Sequence, residues 1–188
     1  GNRRSGVALY RSYSAPMDEG WTRWLFDVNH VPFTSIVDRD VRAGDLARRF
    51  DVIILPDQNP RQIADGLRAP YPDSLRGGLG NTGAAALQAF VEAGGTLLAF
   101  NKASEYAIDA FHLPVTNVLA GVPNTDFYAP GSLLAVTLDR ASPLTAGVTA
   151  PVPAVWFEAS PAFQIADPTR ARAVVRYPST GDPLLSGW

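Results

Sequence analysis

Ser104 and His112 are the first residues whose types suggest chemistry, as nucleophile and base. His112 lies eight positions after Ser104 on one predicted helix. The helical rise puts the two about 12 Å apart, too far for proton transfer. The G-x-S-x-G turn that presents a catalytic serine is also missing. A second set is richer. In open α/β sheets, ligands collect beyond the carboxyl ends of the strands. That rule gathers Arg11, Ser12 and Tyr13 after one apolar run, Asp57, Gln58 and Asn59 after another, and Asn101, Lys102, Ser104 and Glu105 after a third. From these, Tyr13, Asp57, Gln58, Asn101, Ser104 and Glu105 are the candidate ligand-binding residues. Polar residues at strand ends also cap helices and satisfy loop backbone, which is the competing explanation.

Other motifs carry less. Gly78-Leu79-Gly80-Asn81-Thr82-Gly83 matches G-x-G-x-x-G. The dinucleotide mechanism needs a strand running directly into that turn, and here the nearest strand ends at Pro56. The stretch reads instead as a flexible loop entering a helix. His30 and His112 each stand two residues before a proline, at predicted helix ends, where a histidine meets the helix dipole favourably. No H-x-x-E or H-E-x-x-H pattern occurs. No catalytic residue and no metal or cofactor is therefore expected in this chain.

The elements that position these residues follow from periodicity. Val7–Tyr10, Phe33–Val37, Asp51–Leu55 and Thr96–Phe100 read as strands. Trp21, Trp24, Leu25 and Val28 recur at helical spacing, with Asp18 and Glu19 in the first turn, and read as a core-facing stripe. Asp45–Phe50, Thr82–Ala93 and Ser104–Phe111 read as further helices, the second stopped by Gly94-Gly95. A long loop is expected over 57–81. Alternating strands and helices imply a parallel sheet with helices on both faces. The pattern changes near Pro123. Residues 1–122 read as a doubly wound α/β part, and 123–188 as antiparallel strands and loops added to the same single domain. Phe127 and Tyr128 are candidates for exposed contacts with a partner. Leu184, Leu185 and Trp188 suggest burial, and so a fragment whose natural sequence continues.

Composition narrows the classes. The 188 residues carry a formal net charge of −2, no cysteine and two histidines. Near-neutral charge argues against a nucleic-acid partner. Without cysteine there is no thiolate nucleophile and no Cys-ligated zinc. No apolar run approaches the roughly 18 residues of a membrane span.

Longer words of the sequence carry a resemblance. They are Asp18-Glu-Gly-Trp-Thr-Arg-Trp24, Asp51-Val-Ile-Ile-Leu-Pro-Asp-Gln58, Gly77-Gly-Leu-Gly80, Phe90-Val-Glu-Ala-Gly-Gly-Thr96, Leu113-Pro-Val-Thr-Asn-Val-Leu-Ala-Gly121, Ala129-Pro-Gly-Ser132 and Pro183-Leu-Leu-Ser-Gly-Trp188. Together they resemble the domain that follows the catalytic domain in large bacterial zinc carboxypeptidases of the carboxypeptidase A type. The resemblance implies a class I glutamine amidotransferase-like fold, a flavodoxin-like three-layer sandwich with a parallel central sheet. True amidotransferases place a cysteine at the elbow after the strand that follows the Gly-Gly helix. Here that place falls near Asn101, so their chemistry does not carry over.

The expectation is a non-catalytic accessory domain of a secreted or periplasmic zinc metallopeptidase. The zinc would sit in the separate peptidase domain. That domain of the same polypeptide is the expected partner, with a homo-oligomer as an alternative. The role would be packing, oligomerisation or substrate presentation. The rival readings are a small-ligand or carbohydrate-binding module, and a hydrolase using the strand-end crevice.

Overall fold

The computed structural model describes residues 6–188. They fall into two compact units, one ending at Leu113 and one running Pro114–Trp188. This boundary precedes the pattern change at Pro123, because the strand just after it, Val115–Asn117, pairs with Phe163–Ile165 rather than with the parallel sheet.

The first unit runs β1 (Val7–Tyr10), α1 (Met17–Val28), β2 (Thr34–Ile36), α2 (Asp38–Arg42), α3 (Leu46–Arg49), β3 (Val52–Leu55), α4 (Pro60–Asp65), α5 (Gly80–Glu92), β4 (Thr96–Ala99) and α6 (Ala103–Phe111). Its sheet is all parallel, in the order β2-β1-β3-β4. The chain steps one way from β1 to β2 and the other way from β2 to β3 to β4. Right-handed crossovers therefore send α1 to one face and α2 to α5 to the other.

Side-chain alternation shows how unequally the two faces are covered. Ala8, Tyr10, Ile53 and Leu55 point into one core with Val41, Leu46, Phe50, Ile63, Leu79, Leu87, Phe90, Ala103 and Tyr106. Burying each large apolar side chain there contributes about 2 kcal/mol. On the opposite face, Leu9 pairs in register with Ile54 and Ile54 with Leu98. Leu9 and Ile54 are buried, but Leu98 is 37 % exposed, and Phe100 just past the strand is 46 % exposed. A helix about 10 Å across covers two strands spaced about 4.8 Å apart, so α1 alone leaves the β4 side open.

Two expectations need correction here. Trp21 and Trp24 are not core residues: they are 59 % and 54 % exposed, and Leu25 and Val28 are exposed with them. At 100° per residue they lie on the side of α1 opposite Glu19, Thr22 and Phe26, which are its buried or half-buried line. The helix is thus docked with its apolar stripe outward. The predicted loop over 57–81 also contains a helix. Asn59 caps α4 by accepting from the Arg61 amide at 2.9 Å, with Pro60 at the first helical position.

Helix ends follow local rules. Past α5, the Gly95 amide reaches the Phe90 carbonyl and the Gly94 amide the Val91 carbonyl, with Gly94 at φ +96°. This double closure is the Schellman motif. His30 does the same for α1 at φ +54°, where the Val31 amide reaches Phe26 and the His30 amide Asp27. His112 closes α6 at φ +50°.

The second unit is antiparallel: β5 (Val115–Asn117), β6 (Ser132–Ala135), β7 (Thr137–Leu138), β8 (Ala154–Phe157), β9 (Phe163–Ile165), β10 (Val175–Arg176) and β11 (Leu184–Gly187). β11, β6 and β8 form one sheet, while β5 pairs with β9 and β10 with β7. Phe157 is buried and stacks edge-on against Phe127 and Tyr177. Tyr128 is exposed. The expected burial of Leu184, Leu185 and Trp188 does not hold, since all three are exposed. β11 is an edge strand, bonded to β6 alone, and every one of its side chains faces solvent.

Candidate functional site

The candidate residues lie in the loops after β1, β3 and β4 and in the first turn of α6, at the carboxyl ends of three neighbouring strands. The chain reverses its direction of travel across the sheet between β1 and β3, and crevices at such a point are the usual ligand sites of open α/β sheets.

Two hydrogen-bonded groups occupy this edge. The first centres on Asp57. Its Oδ2 accepts from Asn101 Nδ2 at 2.7 Å, and its Oδ1 from the Lys102 amide at 3.1 Å. Asn101 sits between β4 and α6 at φ +48°. Asparagine is among the few residues that tolerate this left-handed region. A sharp strand-to-helix turn with a positive φ is the form a nucleophile elbow takes, and the amide after the elbow residue is the one that holds an oxyanion. Here the elbow side chain is a carboxamide, and that amide is engaged by Asp57.

The second group centres on Gln58, which is 6 % exposed. Its Nε2 donates to Ser12 Oγ and Ser14 Oγ, both at 2.7 Å, and the two hydroxyls are 2.8 Å apart. Ser12 is buried and Ser14 half-buried. The cluster ties the β1–α1 loop to the β3–α4 loop. Ala15, next in the same loop, has φ +50°, a strained value for alanine.

Three further candidates complete the set. Tyr13 is half-buried between the two serines in sequence. Glu105 is half-buried in the first turn of α6. Ser104 Oγ donates to the Ala99 carbonyl at 2.9 Å, a bond back to the preceding strand. His112 is exposed at the far end of α6, so Ser104 and His112 are not brought together.

The glycine-rich stretch has a packing reason. A Cβ on Gly78 would lie 2.5 Å from the Gly66 amide and 2.6 Å from the Ala64 and Ile63 carbonyls. The Leu79 amide bonds the Ile63 carbonyl, and Arg42 Nη1 bonds the Gly78 carbonyl. The glycines let this loop press against the end of α4, with no strand running into them.

A buried polar cluster escaped sequence reading. Tyr10 donates its hydroxyl to Asp38 Oδ1 at 2.8 Å, and both residues are essentially unexposed. Asp38 Oδ2 and the Tyr106 hydroxyl are buried without a hydrogen-bond partner. Burial raises the Asp38 pKa, against the Tyr10 hydrogen bond and Arg42, which both favour the carboxylate. Burial and then the Asp38 charge push the Tyr10 hydroxyl far up, and burial takes Tyr106 to about 12. The missed signal was Asp38 itself, a carboxylate directly after an apolar strand. Glu19 was read only as a first-turn acid. Its side chain is buried, with Oε1 lying 3.6 Å from Arg23 Nε.

Among the described residues no group of three or more metal-ligating side chains converges, and no helix is long and apolar enough to cross a membrane. No family model matches the chain, and no curated protein or solved structure matches it.

Proposed function

We propose that this chain is a non-catalytic, amidotransferase-like accessory domain of a larger zinc carboxypeptidase, with a flavodoxin-like arrangement of its parallel sheet. The observation that carries the reading is the strand–Asn101–helix turn. It has the backbone form of a nucleophile elbow, carries asparagine where a nucleophile would stand, and spends both the Asn101 carboxamide and the Lys102 amide on Asp57. An acid that occupies the oxyanion donor leaves no preorganised place for a developing negative charge. The strand order β2-β1-β3-β4 agrees with the proposed arrangement.

The surface supports a docking role. The outward stripe of α1 and the open side of β4 expose Trp21, Trp24, Leu25, Val28, Leu98 and Phe100. Apolar patches of this kind mark interaction sites. The proposed occupant is the peptidase domain of the same polypeptide, whose zinc would be held by that domain's own residues. Sedimentation of the isolated chain mixed with a separately expressed peptidase domain tests this. A complex that is weakened by Trp24→Ser supports the reading. Two species that never associate count against it.

A further inference from the structure

We infer that the Gln58–Ser12–Ser14 cluster binds a neutral polyol, through adjacent hydroxyls of a saccharide. The inference stands apart from the accessory-domain reading, since it needs only residues of the first unit.

The argument begins with a hydrogen count. The cluster holds four hydrogens, two on the Gln58 amide and one on each serine hydroxyl. Three contacts are made: Gln58 Nε2 to Ser12 Oγ, Gln58 Nε2 to Ser14 Oγ, and one hydroxyl to the other. Turning the Gln58 amide over would spend both hydroxyl hydrogens on its oxygen and leave the 2.8 Å contact between Ser12 and Ser14 with none. The amide orientation is therefore fixed by the serines. Three bonds use three hydrogens, and one serine O–H remains. Gln58 Oε1 is left over as well, for it accepts from no donor among the described residues. The cluster thus offers one donor and one acceptor on adjacent loops, held by a side chain that is itself 6 % exposed.

Charge then selects the ligand class. Asp18, Glu19, Asp57 and Glu105 stand in these loops and first turns, against Arg11, Arg61 and Lys102. No net positive field invites an anion. A pair of neighbouring sugar hydroxyls supplies the matching set: one oxygen accepts the serine hydrogen, and the other donates to Gln58 Oε1. Tyr13, half-buried and between the two serines in sequence, adds an aromatic ring to the same loop, and sugar C–H groups pack on such rings.

Saturation-transfer NMR on the full chain tests this with glucose, N-acetylglucosamine and acetamide as probes. Transfer to either sugar is expected, with binding weakened about tenfold in Ser14→Ala and in Gln58→Met, the loss of one hydrogen-bond partner each. Gln88→Ala, on the exposed side of α5, keeps the signal. Thermal melts confirm that each variant folds. Two variants at different burial keep the test informative if Gln58→Met does not. Three results overturn the inference: no transfer to either sugar, transfer that survives both cluster variants, or transfer to acetamide alone. None of them touches the accessory-domain reading.

Discussion

Asn101 donates its Nδ2 hydrogen to Asp57 Oδ2 at 2.7 Å, across 44 positions of sequence. The contact locks the turn between β4 and α6 to the end of β3. It also fixes a residue whose backbone is held at φ +48°. Side-chain bond and backbone strain can be separated by substitution. Asn101→Gly removes the bond, which costs about 1 kcal/mol, and frees the left-handed backbone of its Cβ. Asn101→Ala loses the same bond and must also hold a left-handed backbone with a Cβ, so it should be less stable than the glycine variant by about 1 kcal/mol more. Urea denaturation of the three proteins measures the difference. Equal stability of the two variants would mean that the strain is absent.

The glycines of the loop before α5 should differ sharply among themselves. Gly78→Ala puts a Cβ within 2.6 Å of three backbone atoms and at φ +52°. It should destabilise the fold by about 3 kcal/mol or more. Gly77→Ala meets nothing within 4 Å, so it bears only the cost of its φ of +90°, about 1 kcal/mol. Comparable melting shifts for the two would contradict the packing role given to Gly78.

Asp38 should give an inverted pH dependence. Burial raises its folded pKa above the ordinary 3.8. The folded state then binds the Asp38 proton more readily than the unfolded state does. Its contribution is fully present below 3.8 and is lost as pH rises through the raised folded value. Asp38→Asn keeps an acceptor for the Tyr10 hydroxyl and removes the charge. The stability of the variant relative to the native chain should therefore grow with pH above 3.8 and level off once Asp38 has ionised. Denaturant melts at several pH values read this directly. A constant difference across the range would show that Asp38 titrates normally.

How far these features were legible depends on the range of the forces behind them. The four parallel strands were readable because continuous apolar runs bounded by prolines and glycines are local signals, and the Gly94-Gly95 stop is a backbone rule. α4 was missed although Asn59-Pro60 is a legible cap, because the proline-rich stretch after it outweighed a helix of six residues. The α1 stripe was readable as a stripe but not in direction. Periodicity reports that Trp21, Trp24, Leu25 and Val28 share a side, and it cannot say that Glu19 and Phe26 are the ones turned to the sheet. At the carboxyl edge of the sheet, the candidate residues were found from strand ends alone. Their division into an Asp57–Asn101 lock and a Gln58–Ser12–Ser14 cluster depends on contacts between residues more than 40 positions apart, which no local pattern encodes.

All four tryptophans should report as wet. Trp21, Trp24, Trp156 and Trp188 are each more than half exposed. The isolated chain should emit near the wavelength of free tryptophan and be quenched readily by acrylamide. Trp21→Ala should cost little stability, within about 0.5 kcal/mol, against about 3–5 kcal/mol for Phe90→Ala in the core. A blue-shifted, protected emission from the free chain would mean that the α1 stripe is already covered.

The accessory role is tested most directly by activity. The isolated chain and the proposed longer parent polypeptide, both with zinc, should be assayed for release of C-terminal residues from peptides. The account predicts a parent that cleaves and an isolated chain that does not. In the parent, Asn101→Ala and Ser104→Ala should leave the rate of the chemical step unchanged. Cleavage by the isolated chain, or a parent without carboxypeptidase activity, would contradict it.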